Sequence, residues 1–422
     1  METLKFLMVT TFYPPYHLGG DAVHVQYLAE ALAQKGHEVH VEFAPAAYRI
    51  KGGKSPSTLG GDGVELHPIP SPRGRAQPLA SYLLGRSASV TRFHEGLLKN
   101  VRPDVVHLHN ISLLGMGVLK PSGPVTTLYT AHDYWIRCPR SDLFKYGRYP
   151  CDSPTCTRCS LASLRPPQLW RLGDGLKPLR ELDVAIAPSR FMMQAIEQEL
   201  ACPIIHIPNF APDQNPDGRT EEPGEYYLYV GVHDRHKGVL ELARAAADCQ
   251  DVQFVFVGKG RYEGRLRRLL GRTTPNAAVK GWVSPQELVR YYRRARGLIV
   301  PSLWHENSPL VAIEALSWGT PLLVSDRGGL GELVGEGEAG LTFEPTPAGI
   351  TQAIEEAEDR DLPKRLREGA RRAYEDRHHP DKYLENYTEL VTKRSTGETE
   401  KGGRWDGSES SPDSLEMVSG SR

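Results

Sequence analysis

Long apolar runs are the first thing this 422-residue sequence lacks. Its amino terminus, METLKFLMVTTFYPPY, meets turn-forming residues after a short apolar run that fits neither a secretory signal nor a membrane span. The expectation is a soluble cytoplasmic protein, with at most a peripheral association at the inner face of a membrane. Charge of one sign is missing too, since 51 basic residues stand against 52 acidic ones for a net charge of -1. Nucleic acid is therefore not an expected partner. Only six cysteines occur, too few for a disulfide scaffold at this length, although four of them cluster. No repeat of roughly 20 to 50 residues is present, which sets solenoids and propellers aside.

What is present is a recurrent pattern. The chain exceeds one ordinary core and fits two domains of roughly 180 to 200 residues. Short runs rich in Val and Ile alternate with helical patterns, the signature of βαβ units and parallel sheets. In the first half LKFLMVTT, HEVHVEFAP, DVVHLHN, VTTLYTAHD, LDVAIAPS and IIHIP read as strands. In the second half YYLYVGV, VQFVFVGKG, AVKGWV, RGLIVPS, TPLLVSD and GLTFEP do. The fold class is α/β, with two doubly wound Rossmann-like domains, residues 1–207 and 226–378, facing across a cleft. Between them PNFAPDQNPDGRTEEPGE, residues 208–225, has the Pro, Asp, Asn and Gly of a linker. Residues 379–394 carry Tyr383, Leu384, Tyr387 and Leu390 at helical spacing, which predicts a helix packed on one domain or bridging both. From 395 to 422 the chain is polar and Gly/Ser-rich, so disorder is expected. Ligands of such sheets bind at the carboxyl ends of strands, so the cleft is where function is sought.

Three stretches at strand ends carry candidate anion-binding residues, because helix starts offer free backbone N–H groups there. In FYPPYHLGGDAVHV, Gly19 and Gly20 let the backbone approach a ligand closely, though taken alone such a pair is more often a plain turn. In TAHDYW, His132 and Asp133 stand just past a strand, where an imidazole can donate to a sugar hydroxyl or a phosphate. A satisfied structural histidine is the commoner case, and His107 and His109 in VVHLHN rank below His132. In YVGVHDRHKGVLELARAA, Arg235 and Lys237 precede a glycine at a helix start. Cations there oppose the helix dipole unless an anion lies between, and two solvated loop charges is the alternative.

A fourth stretch, WHENSPLVAIEALSWGTPLLVSD, sets a carboxylate inside an apolar run. Ser308 reads as a helix cap and Pro309 as the first helical residue, while Gly319 and Pro321 end the helix near Trp318. Glu306 then lies in the loop before the helix and Glu314 within it. A buried carboxylate needs a partner, and none is near in sequence. Vicinal ribose hydroxyls would satisfy Glu314, and the amides of Leu310 and Val311 can take a phosphate oxygen. An ion pair with a distant arginine is the alternative.

Glu306 and Glu314 make an E-x7-E motif within PSLWHENSPLVAIEALSWGTPLLVSDRGGLGELV. Together with Gly19–Gly20, AHDYW, Lys237–Gly238, VGKG at 257–260 and GWV at 281–283, it makes the chain resemble the GT-B-fold retaining glycosyltransferases of family 4, the glycosyl transferases group 1. The resemblance implies transfer of a sugar from a nucleotide diphosphate-sugar donor to a hydroxyl acceptor, in polysaccharide, lipid-linked glycan or small-molecule glycoside biosynthesis, with retained anomeric configuration. It implies Glu306 on the donor sugar, Glu314 on the ribose, Lys237 on the diphosphate with Gly20 beside it, and His132 near the transferred sugar. The helix start at Pro309, Leu310 and Val311 would take the donor phosphate. His132, Lys237 and Glu306 are the catalytic candidates. Val232 stands where the family usually carries an arginine, so either Arg235 substitutes or the phosphate charge is less well compensated. No DxD-type metal site and no cofactor are required for this catalysis. A GT-B-fold nucleotide-sugar epimerase and a non-catalytic nucleotide-sugar-binding protein are the rival readings.

The clustered cysteines are Cys138, Cys151, Cys156 and Cys159, in CPRSDLFKYGRYPCDSPTCTRC. The CTRC pair has the gap that lets two sulfurs reach one tetrahedral ion, and the other two complete four ligands. A structural zinc beside the acceptor site is expected. Four reduced thiols in a loop, or an iron–sulfur cluster, are the alternatives.

Overall fold

A computed structural model of the chain describes residues 3–50, 63–72, 74–119, 125–218, 224–359 and 361–395. Part of the expected linker, 219–223, and the tail beyond Ser395 lie outside these residues. The first sheet contains β1 (Lys5–Val9), β2 (Glu38–Phe43), β3 (Val64–Pro68), β4 (Val105–Leu108), β5 (Thr126–Thr130), β8 (Val184–Ala187) and β9 (Ile204–His206). Between β5 and β8 a small antiparallel hairpin interrupts the pattern, made of β6 (Phe144–Lys145) and β7 (Tyr149–Pro150). The second sheet contains β10 (Tyr226–Val230), β11 (Gln253–Val257), β12 (Ala277–Gly281), β13 (Ala295–Val300), β14 (Leu322–Ser325) and β15 (Gly340–Phe343).

Every pairing within the two large sheets is parallel, and the orders are β3-β2-β1-β4-β5-β8-β9 and β12-β11-β10-β13-β14-β15. The chain is α/β with GT-B architecture. Helices cover both faces of each sheet, which is why strands such as β8, VAIA, are apolar at every position and buried throughout. Each sheet reverses its strand order once, between β1 and β4 and between β10 and β13. Those two switch points set where a ligand can lie.

Two expectations need correction. The β3 segment escaped the strand reading because VELHP alternates charge with apolar residues and pairs only with β2, an edge position where polar side chains are tolerated. The helix after Glu306 runs from Leu310 to Ser317, one residue later than expected. Pro309 is its cap, with extended backbone, and the buried Ser308 hydroxyl has no hydrogen-bond partner. Pro309 keeps ψ at 127°, outside the helical range, so the helix opens one residue later and Ser308 falls outside the cap position. Gly319, at φ +66°, does end this helix with left-handed backbone.

The final helix, Pro380–Ser395, returns to the first domain. Its Tyr383, Leu384, Tyr387, Leu390 and Val391 are buried with Phe6, Met8, Val25 and Leu28 of the first sheet and the helix Gly20–Gln34. No helix of the described residues is long and apolar enough to cross a membrane.

Candidate active site

The loops that leave the switch-point strands carry most of the residues singled out from the sequence. Gly19 and Gly20 follow β1 and open the helix Gly20–Gln34, Arg235 and Lys237 follow β10, and Glu306 follows β13. A Cβ built on Gly20 would meet the Leu310 side chain at 3.7 Å, so the starts of two helices from different domains face each other here. Their first amides have no intrahelical acceptor, and the axial dipoles converge on one spot. That spot suits an anion.

Lys237 ends a short 3-10 turn, Arg235–Lys237, and Gly238 follows at φ +67°. Any Cβ on Gly238 would collide with the Pro301 carbonyl, so glycine alone lets this turn press against the end of β13. The packing aims Lys237 at Glu306. Lys237 Nζ donates to Glu306 Oε1 at 2.7 Å and lies 5.0 Å from the Trp304 ring centre. The same Oε1 accepts from Ser302 Oγ at 2.6 Å and from Trp304 Nε1 at 2.7 Å. All three donors converge on one oxygen, and Oε2 has no hydrogen bond among the described residues. Burial raises the Glu306 pKa, but the Lys237 charge and these bonds outweigh it and hold the carboxyl below its ordinary 4.5. The result is a fixed carboxylate with one oxygen able to accept from a ligand hydroxyl.

Glu314 is different. It is partly open to solvent, yet protein surrounds it closely enough that desolvation lifts its pKa to about 7, against the pull of two hydrogen bonds. Those come from Tyr292 Oη at 2.9 Å, on its own domain, and from Tyr27 Oη at 3.3 Å, on the helix of the first domain. The arginine partner weighed above is not found: no ion pair among the described residues includes Glu314. Phenol hydroxyls satisfy the acid without neutralising it.

His132 follows β5 and joins a buried imidazole stack. Its Nε2 is 2.9 Å from His109 Nδ1, its ring stacks on His109 at 5.2 Å, and His24 meets its edge at 5.1 Å. His107, next in line, is held by Tyr387 Oη at 2.9 Å and Thr130 Oγ1 at 2.8 Å. Burial drives the His132 pKa down to about 4, with Asp21 opposing the shift. It is a neutral ring at physiological pH, able to hydrogen-bond but carrying no charge. Beside it, burial raises the Asp133 pKa to about 7, although the Trp135 amide donates to Asp133 Oδ1 at 2.8 Å.

Arg235 is exposed, and so is Val232 three positions before it. The cation that does face this turn is Arg261, whose guanidinium Nε pairs with Asp234 at 2.8 Å. Sequence reasoning gave Arg261 no role, and it also missed the polar clasp across the cleft. Asn307 Nδ2 donates to the Ala131 carbonyl at 3.0 Å while its Oδ1 accepts from Ser189 Oγ at 2.7 Å. Glu332 accepts from the amides of Arg190 and Phe191 at 2.8 and 2.9 Å. The only signal in the sequence is Asn307 itself, a polar residue beside a buried Glu306. Cys138, Cys151, Cys156 and Cys159 lie apart, around a small cavity in the segment after His132, and none forms a disulfide.

Comparison with known proteins supplies the class of chemistry. The Glycosyltransferase Family 4 model matches residues 18–214 and the Glycosyl transferases group 1 model residues 212–373. Glycogen synthase of Mycobacterium tuberculosis is 26% identical over 385 residues, covering 83% of this chain and 85% of that protein. Phosphatidyl-myo-inositol mannosyltransferase of Mycobacterium leprae is 26% identical over 362 residues, covering 80% and 82%. Among solved structures, sucrose-phosphate synthase of Thermosynechococcus elongatus matches with a TM-score of 0.70 at 19% identity, covering 93% of this chain and 100% of that one. Anabaena HepE, solved in complex with UDP, matches with a TM-score of 0.66 at 15% identity, covering 92% and 100%. Those two structures bear on the fold. With the paired family models running through the same loops that carry Lys237, Glu306 and Glu314, the chain belongs to the GT-B glycosyltransferases of family 4, group 1.

Proposed function

We propose that this glycosyltransferase takes a sugar from a nucleotide diphosphate donor and passes it to a hydroxyl acceptor with retention at the anomeric carbon. The observation that carries the reading is Glu306, saturated on Oε1 by Lys237, Ser302 and Trp304 and open on Oε2 in the cleft between two helix starts. HepE, which shares the fold, was solved with UDP and with UDP-glucose, and this supports a nucleotide donor here. The diphosphate lies between the amides of Gly20 and those of Leu310 and Val311, with Lys237 beside it. Glu306 Oε2 accepts from a donor sugar hydroxyl, and Glu314 accepts from the ribose in place of Tyr27. His132, neutral and fixed by His109, offers a hydrogen bond on the sugar from the acceptor side.

In the reaction the bond from the anomeric carbon to the diphosphate oxygen breaks and a bond to the acceptor oxygen forms on the same face. The acceptor proton leaves with the diphosphate. Charge that develops on the leaving group is met by Lys237 and the helix starts, already oriented for it, and no metal ion is needed for that role. Thermal shift with a panel of nucleotide diphosphate sugars identifies the donor, because a ligand of the native state raises the melting temperature. NMR of the glycoside formed from an α-linked donor should then show an α product. A β product overturns retention, free epimerised donor without glycoside favours an epimerase, and no shift with any nucleotide removes the donor site.

A further inference from the structure

We propose that Cys138, Cys151, Cys156 and Cys159 bind one structural zinc ion. The four thiols come from three pieces of chain that the fold brings to one place. Cys138 ends the turn after Trp135, Cys151 follows β7, and Cys156 and Cys159 lie on the short helix Cys156–Ala162. All four line a single cavity of about 20 Å³. That is room for one water-sized sphere, the scale of a single ion. A four-thiolate set is the donor chemistry of structural zinc.

The backbone around the cavity is arranged toward sulfur. The Tyr146 amide donates to Cys159 Sγ at 3.2 Å. Such an N–H···S bond serves a thiolate held by a metal, as outer partners orient metal ligands elsewhere. Nearby, three residues that are not glycine adopt left-handed backbone: Ser141 at φ 67°, Leu143 at φ 44° and Tyr146 at φ 55°. Strain of this kind persists only where surroundings over-determine it. Apolar packing reaches Leu143, which is buried in the first domain's core, but not Tyr146, since no residue from Lys145 to Arg158 is buried. An ion would supply the constraint that burial does not.

The sulfurs line the cavity without being drawn into ligating distance. Each stands one bond from its Cβ, so binding one ion requires the thiols to turn about χ1. Among the described residues, the group of ligand atoms already within 4.8 Å of one another is His40, Glu65 and His67, on β2 and β3. That trio closes its own hydrogen bonds: His40 meets His67 at 2.9 Å and Glu38 at 2.8 Å. It is the competing site and serves as the control. The cysteine segment follows His132 directly along the chain. A zinc there fixes the wall on the acceptor side. This inference does not depend on the donor chemistry proposed above.

Elemental analysis of tag-free, full-length protein should return about one zinc per chain. Cys156→Ser with Cys159→Ser should lose it and lower the melting temperature by more than about 5 °C, a shift a structural ion of this kind readily produces. His67→Ala should keep the zinc. Because the cysteine variant can fail to fold, wild-type protein is also loaded with cobalt, which in a four-thiolate site gives sulfur-to-metal absorption. A metal-free wild-type chain, zinc lost with His67 and retained without the two cysteines, or bound iron in place of zinc would each overturn the assignment.

Discussion

The loop around Glu306 and the helix around Glu314 hold the same side chain in opposite ways. Glu306 is gripped by a cation and two neutral donors on one oxygen, and its proton affinity falls. Glu314 is touched by two phenols and no cation, and its proton affinity rises until it titrates near pH 7. One is pre-set as an anion whether or not a ligand is present. The other becomes a settled anion only when hydroxyl donors better placed than Tyr27 arrive, so its charge and the ligand's binding are linked. The family's paired glutamates are thus two devices, and each prediction below strains one of them.

The largest effect should come from Lys237→Ala. It strips the cation from Glu306 and from the leaving diphosphate at once, so turnover should fall by roughly two to three orders of magnitude, the scale for one preorganised donor to developing charge. Stability should fall by about 2 kcal/mol, since a buried carboxylate loses its charge partner while keeping Ser302 and Trp304. Initial rates and urea unfolding measure both. Wild-type turnover in the variant would place Lys237 outside the reaction.

Next is the contrast between the two carboxylates themselves. Glu306→Ala should depress turnover far more than donor affinity, whereas Glu314→Gln should weaken nucleotide binding about tenfold, as expected when one of two paired hydrogen bonds is lost. Calorimetric titration with the nucleotide alone separates them. If Glu314→Gln binds nucleotide as the wild type does, the ribose assignment is gone and the acid is structural.

How much of this contrast was legible before the fold was known depends on distance along the chain. Glu306, Glu314, Lys237 and the glycine that ends the helix stand in short stretches whose local grammar is readable, as are the six strands of the second sheet. Tyr27 reaches Glu314 across 287 positions, and Ser189 reaches Asn307 across 118. Such pairs leave no mark on local sequence, since a surface-compatible tyrosine or serine satisfies helix and turn rules equally well. The misplaced helix cap at Ser308 has a different cause. The cap rule took Pro309 as helical, whereas Pro309 keeps extended backbone at ψ 127° and occupies the cap position itself.

The opposite proton affinities make a third test with opposite signs. A carboxyl whose folded pKa lies above its unfolded value binds more protons when folded, so Glu314 contributes stability that is whole below about 4.5 and is lost as pH rises through about 7. Glu306, with a lowered folded pKa, contributes stability that is present above the ordinary carboxylate range and lost as pH falls through it. Urea midpoints at pH 5 and 7.5 should therefore show Glu314→Gln at its greatest disadvantage against wild type at the lower pH and gaining relative stability at the higher one. The change should be on the order of 1 to 3 kcal/mol, discounted for the solvent that reaches Glu314 in the cleft. Parallel pH profiles for wild type and variant would mean that Glu314 titrates normally.

The smallest effect concerns the two phenols. Tyr292 donates to Glu314 at 2.9 Å from a fully buried position on the same domain, while Tyr27 donates at 3.3 Å across the cleft, beyond the best range for such a bond. Tyr292→Phe should therefore cost about 1 to 2 kcal/mol, because it strips a buried acid of its better donor. Tyr27→Phe should cost less than about 1 kcal/mol, and it frees the oxygen that a ribose hydroxyl needs, so nucleotide affinity should hold or rise by a few fold. Tyr27 is then a placeholder that a ligand displaces, and Tyr292 is the fixed support. A Tyr27→Phe variant that loses more stability than Tyr292→Phe, or that binds nucleotide tenfold more weakly, reverses those roles and makes the bond across the domains a strut of the fold.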